Sequence, residues 1–471
     1  MKIKFILFLF YLSISISNYA QNSHYWTQHY GNKTLLLSGA VAGSVTDLGS
    51  VYYNPGFLAL QENPIFVVTA KLLQFTNTRL ENGFGEDIDL AKNKLGNAPN
   101  LIAGVIKLKF LPKHIFAYSY LTRRSSDVDF TYRSQQIEDV LPKYIGGEQF
   151  NSEITWIERN LEQWAGFTWS YPLNKHMSIG ISNFFAISLF NSTFDINLSA
   201  MANDNHIVSS NKKQQIDYIN YGTLFKIGYA IDYPKFSAGI TITTPKINIA
   251  GNGSYTTRNI LVGSDTNYTN KSVDIYETNI QESIPVKLKS PLSIAVGTGI
   301  KLKKLIIHFS AEWFNSVNKY TIIKPDSFIG QSSGRIINTT IVEELHSVVN
   351  GGVAFEYTLN TNLHIYCGFS TDFSASPTDP SLFYELTPEI YNSTFQSDIY
   401  HYSGGIGFKF KRIEITIGMS YNYSNDKISR PINLPDNDDE PIFGTDNYAV
   451  LQNKTWKLLF GFSLPFSTNK K

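Results

Sequence analysis

From Thr455 the chain alternates strictly. Trp456, Leu458, Phe460, Phe462, Leu464 and Phe466 fall on one face, and Thr455, Lys457, Leu459, Gly461 and Ser463 on the other. Tyr400, Tyr402, Ile406, Phe408 and Phe410 are opposed in the same way by His401, Ser403, Gly405, Gly407 and Lys409. Leu305, Ile307, Phe309, Ala311 and Trp313 stand against Ile306, His308, Ser310 and Glu312. Leu292, Ile294, Val296 and Ile300 stand against Ser293, Gly297, Gly299 and Lys301. A period of two sends successive side chains to opposite faces of a strand, whereas a helix would space its apolar residues three and four apart. A strand in a soluble sandwich runs about five or six residues. Many segments here run about ten to fifteen, the length of a tilted strand crossing lipid.

Connections between these segments are of two alternating kinds. Short ones include Leu111-Pro112-Lys113, Pro172 to Lys175, Asp232 to Lys235, Lys303-Lys304, Leu359 to Thr361 and Lys411-Arg412; long ones lie near 77–99, 134–157, 203–214, 257–269, 324–344, 376–397 and 426–449. Thirteen connections predict fourteen strands, at 64–76, 100–110, 114–133, 158–171, 176–202, 215–231, 236–256, 270–302, 305–323, 345–358, 362–375, 398–411, 413–425 and 450–466, with 270–302 also readable as two segments. Lipid offers no hydrogen bonds to an open edge, so such a sheet must close. The expected fold is an all-β, fourteen-stranded antiparallel transmembrane barrel over 64–466. An even strand number puts both ends on one side, and outer-membrane barrels keep their short turns in the periplasm, so both termini are expected there. Phe460 and Ile307 then face lipid, Gly407, Lys409, His308 and Glu312 face the lumen, and Trp313, Tyr402 and Trp456 mark the aromatic girdles.

Composition agrees with an exported barrel. The 471 residues carry 40 Lys plus Arg against 39 Asp plus Glu, a balance that gives no basic field for nucleic acid. Aromatics reach 14% while charged residues fall to 17%, a composition unlike that of a disordered chain. No apolar run is long enough for a spanning helix. Lys2 and Lys4, the apolar stretch Phe5 to Ile16, and Ala20 before Gln21 read as a signal peptide over 1–20. The single cysteine, Cys367, excludes an intramolecular disulfide, and its register with Leu363, Ile365 and Phe369 places it toward lipid. Residues 467–471 are expected as a periplasmic tail.

Residues 21–63 do not alternate. Leu35 to Leu37 lead into the small residues Ser38 to Ser44, then Val45 to Leu58 with Asp47 and Tyr52-Tyr53-Asn54-Pro55-Gly56-Phe57. Small residues allow close backbone packing and Asn-Pro marks a turn, so the segment can fold back into the lumen. Here the chain resembles the FadL/TodX-type outer-membrane transport family for long-chain fatty acids and aromatic hydrocarbons. That family has a small-residue stretch, an acidic residue, and an aromatic-x-Asn-Pro-Ala-Gly-type motif. Gly56 stands where Ala is usual. Ala238 to Lys246, Pro291 to Trp313 and residues 348–375 are similar to later runs of the family. The resemblance implies a hatch over 21–63 with Asp47, Tyr53, Asn54, Pro55 and Gly56 as its motif. It also implies capture of an apolar ligand in a lumenal pocket and sideways exit at a break in the third strand. Thr122 to Asp127 interrupts that strand with polar residues, and Arg123, Arg124 and Ser125 are the candidate opening. The same interruption also fits a strand rising above the membrane.

Catalytic and cofactor fingerprints are missing from the sequence: no Gly-x-Ser-x-Gly, His-Glu-x-x-His, Walker A or dinucleotide motif occurs. No cofactor, catalytic residue or metal ligand is expected. His308 and Glu312 read as wetted lumen residues, and Asp436 to Glu440 as a solvated acidic loop. Three functions follow, in falling order of support. The first is a monomeric passive channel for a hydrophobic small molecule, a fatty acid or hydrocarbon, embedded in outer-membrane lipid. The second is an interaction protein similar to the PorV-type shuttle of type IX secretion. An outer-membrane enzyme comes last, for want of a catalytic constellation. An apolar lumen favours the first; a wet lumen with an apolar outer patch favours the second.

Overall fold

The computed structural model describes residues 24–61, 64–141, 144–263, 274–376, 389–391, 397–410, 413–430, 432, 434 and 448–465. The signal peptide over 1–20, Phe466, the tail 467–471 and the acidic run Asp436 to Glu440 lie outside the described residues.

Fourteen antiparallel strands form one closed ring. They are β1 (Pro64–Glu81), β2 (Leu90–Lys107), β3 (Ile115–Glu138), β4 (Glu148–Pro172), β5 (Met177–Met201), β6 (Ile207–Asp232), β7 (Phe236–Thr243), β8 (Ser293–Lys301), β9 (Leu305–Phe314), β10 (Val348–Asn360), β11 (Leu363–Asp372), β12 (Ile399–Phe410), β13 (Ile413–Ser429) and β14 (Tyr448–Pro465). Each pairs with its sequence neighbours, and β1 pairs with β14 from Pro64–Pro465 to Glu81–Val450. The start of β1 and the end of β14 thus share the short-turn end of the barrel.

The expected count holds, while several boundaries move. The expected seventh strand divides into β7 and the segment Ile247–Val262, and the eighth into Ile275–Pro285 and β8. The two extra pieces form a hairpin that continues the outer half of β6. The ninth likewise stops at Phe314 and resumes as Val317–Ile323, in a small separate sheet. β4 begins at Glu148, not 158, and β5 and β6 are joined across 202–206, so the loops expected at 134–157 and 203–214 are largely strand.

Burial separates the two faces as the alternation predicts. On β14, Thr455, Lys457, Leu459 and Gly461 are buried while Trp456 and Leu464 are exposed. On β9, His308, Ser310 and Glu312 are buried while Phe309 and Trp313 are exposed. Exposed apolar side chains recur on the outward register of the neighbouring strands, among them Ile365, Ile406, Ile417 and Val296, and Cys367 lies on that exposed face. A barrel whose outer surface is apolar is stable only in lipid. Toward the long-loop end the inward register becomes apolar. Leu80, Val128, Phe130, Trp156, Ile428 and Leu451 form one buried cluster, and Phe84, Phe150, Ile154, Ile196 and Leu198 belong to another.

Candidate functional site

The N-terminal segment is held by a network centred on Asp47. Its Oδ2 accepts from the backbone N–H of Lys33 (2.6 Å) and Thr34 (3.1 Å). Its Oδ1 accepts from Thr34 Oγ1 (3.1 Å) and Gly49 N (2.8 Å). Burial raises the Asp47 carboxyl above its ordinary value, and the N–H groups of Thr34, Gly49 and Lys33 work against that rise. Gly31 passes at a φ of +99°, and a Cβ there would lie 2.3 Å from Asp47 Oδ1. Tyr53 Oη accepts from Tyr30 N (3.1 Å), tying the two halves together. Asn54 caps the short helix Pro55–Ala59 by accepting from Gly56 N (3.0 Å), with Pro55 in its first turn. Asp47, Tyr53, Asn54, Pro55 and Gly56 therefore belong to one folded unit.

That unit touches the inward register around the ring. Asn54 Nδ2 donates to Ala42 O (3.1 Å) and to Tyr229 O on β6 (3.1 Å). Gly56 O accepts from Ser170 Oγ on β4 (3.1 Å) and Ser178 Oγ on β5 (2.6 Å). Ala42 N donates to Ser310 Oγ on β9 (2.9 Å), Ser38 N to Ser403 Oγ on β12 (3.0 Å), and Thr416 Oγ1 on β13 to Asn32 O (2.9 Å). Contact is this close because glycines face the segment on many strands. A Cβ on Gly297 would lie 2.5 Å from Gly43 N, on Gly368 2.5 Å from Leu37 C, on Gly180 2.3 Å from Pro55 O, and on Gly461 2.1 Å from Asn32 Oδ1. His308 and Glu312 are not the wetted residues the sequence suggested. His308 Nδ1 bonds Ser44 Oγ (2.7 Å), and Glu312 accepts from Trp26 Nε1 (2.8 Å) and Ser293 Oγ (2.6 Å). The segment covers both.

On the long-loop side of the segment lies a cavity of about 1120 Å³. Its floor carries Thr27, Gln28, Lys71, His401, Asn422 and Lys457, and its sides carry Lys94, Arg124, Asp127, Glu158 and Asn160. Phe190 and Tyr218 are among its few aromatic surfaces. Most of the lining side chains carry a polar group, yet most of the surface they present to the chamber is apolar. Among the described residues no group of His, Cys, Asp and Glu is placed to hold a metal ion.

The wall beside the chamber is incomplete. β2 and β3 pair only from Leu101–Leu121 to Lys107–Ile115. Beyond that point β2 stays with β1 to Leu90, and β3 stays with β4 to Glu138. Pro99 has no N–H to donate where the strands part. β3 is not broken, but it carries an extra residue: Thr122 faces Gln163, Arg124 faces Glu162, and Arg123 is the bulge between them. Arg123 is buried over the Trp164 ring (5.7 Å), while Arg124 and Ser125 line the chamber. Farther out, ion pairs rejoin the two strands, Lys94 with Asp127 and Lys92 with Asp129 (3.6 Å). The N-terminal segment grips the fork: Tyr30 Oη donates to Thr122 O (2.9 Å), and Asn100 Nδ2 donates to His29 O (3.1 Å).

The fold as a whole has counterparts of known structure. The monoaromatic hydrocarbon channel CymD matches with a TM-score of 0.54 at 10% identity, over 94% of this chain and 99% of that one. The Pseudomonas putida toluene transporter TodX matches with a TM-score of 0.56 at 10% identity, over 93% and 99%. The fold is that of the FadL/TodX-type channels. A Pseudomonas aeruginosa FadL homologue gives a TM-score of 0.51 at 12% identity, over 96% and 100%. No protein-family model and no curated protein sequence matches the chain.

Proposed function

We propose that the protein is an outer-membrane channel for passive uptake of small molecules with a substantial apolar body, the class that includes fatty acids and aromatic hydrocarbons. The observation that carries this reading is the unpaired stretch between β2 and β3 beside a lumenal chamber. A solute held in the chamber would leave through that gap into the outer leaflet, so it need not cross the aqueous periplasm. Arg123, Arg124 and Ser125 would border the exit. Residues 21–63 would serve as the hatch, closing the barrel toward the periplasm, where both termini would lie. Each apolar Å² removed from water contributes about 25 cal/mol, so lateral release into lipid is downhill for such a solute.

Deleting Arg123 tests the exit. The deletion removes the bulge yet keeps Leu121 and Arg124 on their present inward register. Proteoliposomes of the variant, with heat-modifiable mobility as a folding check, are expected to take up a fluorescent fatty acid at least tenfold more slowly than wild type. Unchanged uptake would refute lateral exit at this fork. A second reading is favoured by the exposed Ile137, Ile145 and Ile207 at the long-loop end. On it the barrel would bind exported proteins in the manner of the PorV-type shuttle. Wild-type liposomes would then show no uptake, and loop substitutions would impair secretion instead.

A further inference from the structure

Lys71 and Lys457 face inward on β1 and β14, the first and last strands of the ring. Gln74, just beyond Lys71, pairs with Lys457, and Lys71 itself pairs with Leu459, which makes the two lysines diagonal neighbours across the closing seam. They are 3% and 7% exposed and both line the chamber. Their described partners are neutral. Lys71 Nζ donates to Gln28 Oε1 (3.1 Å), and Lys457 Nζ to Thr27 O (3.5 Å). With its amide turned to satisfy both polar atoms, Asn422 accepts from Lys457 Nζ (2.8 Å) and donates to His401 Nδ1 (2.9 Å). Neither lysine has a carboxylate at ion-pair distance among the described residues. Asp372, which acts on Lys457 through space, accepts on Oδ1 from Tyr25 N (2.8 Å), Trp26 N (2.9 Å) and Asn350 Nδ2 (3.3 Å), and its Oδ2 lies 3.8 Å from His401 Nε2, so it touches neither lysine.

Two buried lysines on neighbouring strands with no carboxylate in contact are unfavourable as ammonium groups unless something else supplies a counter-charge. The side of the pair that the protein leaves uncovered is the chamber. We propose that Lys71 and Lys457 form a binding site for an oxyanion on the chamber floor, with Gln28 and Asn422 orienting the lysines and Arg124 adding positive potential from the wall. The pair would accept a carboxylate, sulfate or phosphate oxygen on each ammonium, either from the head of an amphiphile or from a free small anion. This deepens the channel reading and rests on it: the site would select charged-headed solutes over neutral hydrocarbons of the same size.

Binding and flux are measured separately on full-length protein, in a non-ionic detergent and in proteoliposomes. Titration calorimetry uses decanoate, decanol and inorganic phosphate. Decanoate is expected to bind at least tenfold more tightly than decanol, and the K71M/K457M variant is expected to bring decanoate to the decanol level. Methionine matches the stem and removes a buried charge, so the variant should fold, which its heat-modifiable mobility checks. Phosphate competing with decanoate would support a site for free oxyanions; decanoate binding without phosphate competition would support a head-group site. Equal affinity for decanoate and decanol, or an unaffected double variant, would overturn the proposal. If anion binding is lost in the variant while wild-type liposomes pass no decanoate, the site stands and the channel reading fails. If decanoate flux persists unchanged in the variant and binding was never selective, the channel stands and the site fails.

Discussion

Asp47→Asn isolates the network that holds the N-terminal segment, because the side chain keeps its shape and loses only acceptor capacity. The carboxylate accepts four hydrogen bonds, two on each oxygen. An amide has one oxygen. Turned so that its NH2 meets Thr34 Oγ1, which can accept, it still leaves Gly49 N without an acceptor, and the remaining bonds are no longer to a charged group. Hydrogen bonds to a charged group contribute about 1.5–3 kcal/mol each and neutral ones about 0.5–1.5, so one lost bond and the weakening of the others together come to about 3 kcal/mol. At about 1.4 kcal/mol per decade, the open population of the segment rises at least about 100-fold. Lys33 is the only Lys or Arg in residues 24–61 and lies half-buried against Glu414 (3.4 Å) inside the ring, so trypsin cuts there only when the segment opens. When reclosing outpaces cutting, the rate follows the open population. Mass spectrometry of the fragment ending at Lys33 should therefore show release accelerated about 100-fold. A rate within threefold of wild type, with the barrel folded, would refute the claim that Asp47 holds the segment.

Phe460→Arg should impair membrane insertion more than Ser463→Arg, since Arg on the lipid face near mid-bilayer costs about 2–4 kcal/mol; urea unfolding in liposomes checks it, and equal losses would mean the faces are misassigned. Gly368→Val should push the segment off β11, because its Cβ would meet the backbone of Leu37 at 2.5 Å. The expected readout is faster cutting at Lys33 with the strand signal in circular dichroism unchanged.

The stretches whose outward face is apolar were legible from the chain. On β9, β12 and β14 one face must be apolar and the other meets the lumen, so the period of two is uninterrupted. The outer half of β4 was not legible. Asn151 and Glu153 stand on the outward register while Phe150, Ile154 and Trp156 are buried inward, so the apolar face has changed sides and the pattern of a lipid-facing strand is inverted. The fork was half visible: Thr122 to Asp127 marked the right strand, but Pro99 on the facing strand passed unnoticed. Lys71 and Lys457 were missed because each is a lone charge in an apolar run. A signal existed in Lys457, placed on the lumen side between Trp456 and Leu458. The partners of His308 and Glu312 could not be read at all, because Ser44 and Trp26 lie more than 250 residues away.

The ring of bare positions has a consequence for any barrel made without its N-terminal segment. A porin waist owes its charge and size selectivity to side chains that project into it. Here, at the level the segment occupies, Gly180, Gly228, Gly297, Gly368, Gly418 and Gly461 project none. Removing residues 24–60 would therefore expose a wide aperture whose edge alternates peptide groups with short polar side chains such as Ser170, Ser178, Ser310, Ser403 and Thr416. Planar-bilayer recordings of that truncated barrel should show large, steady currents. The width of the pore at that height belongs to the segment, and the wall around it is a shallow socket.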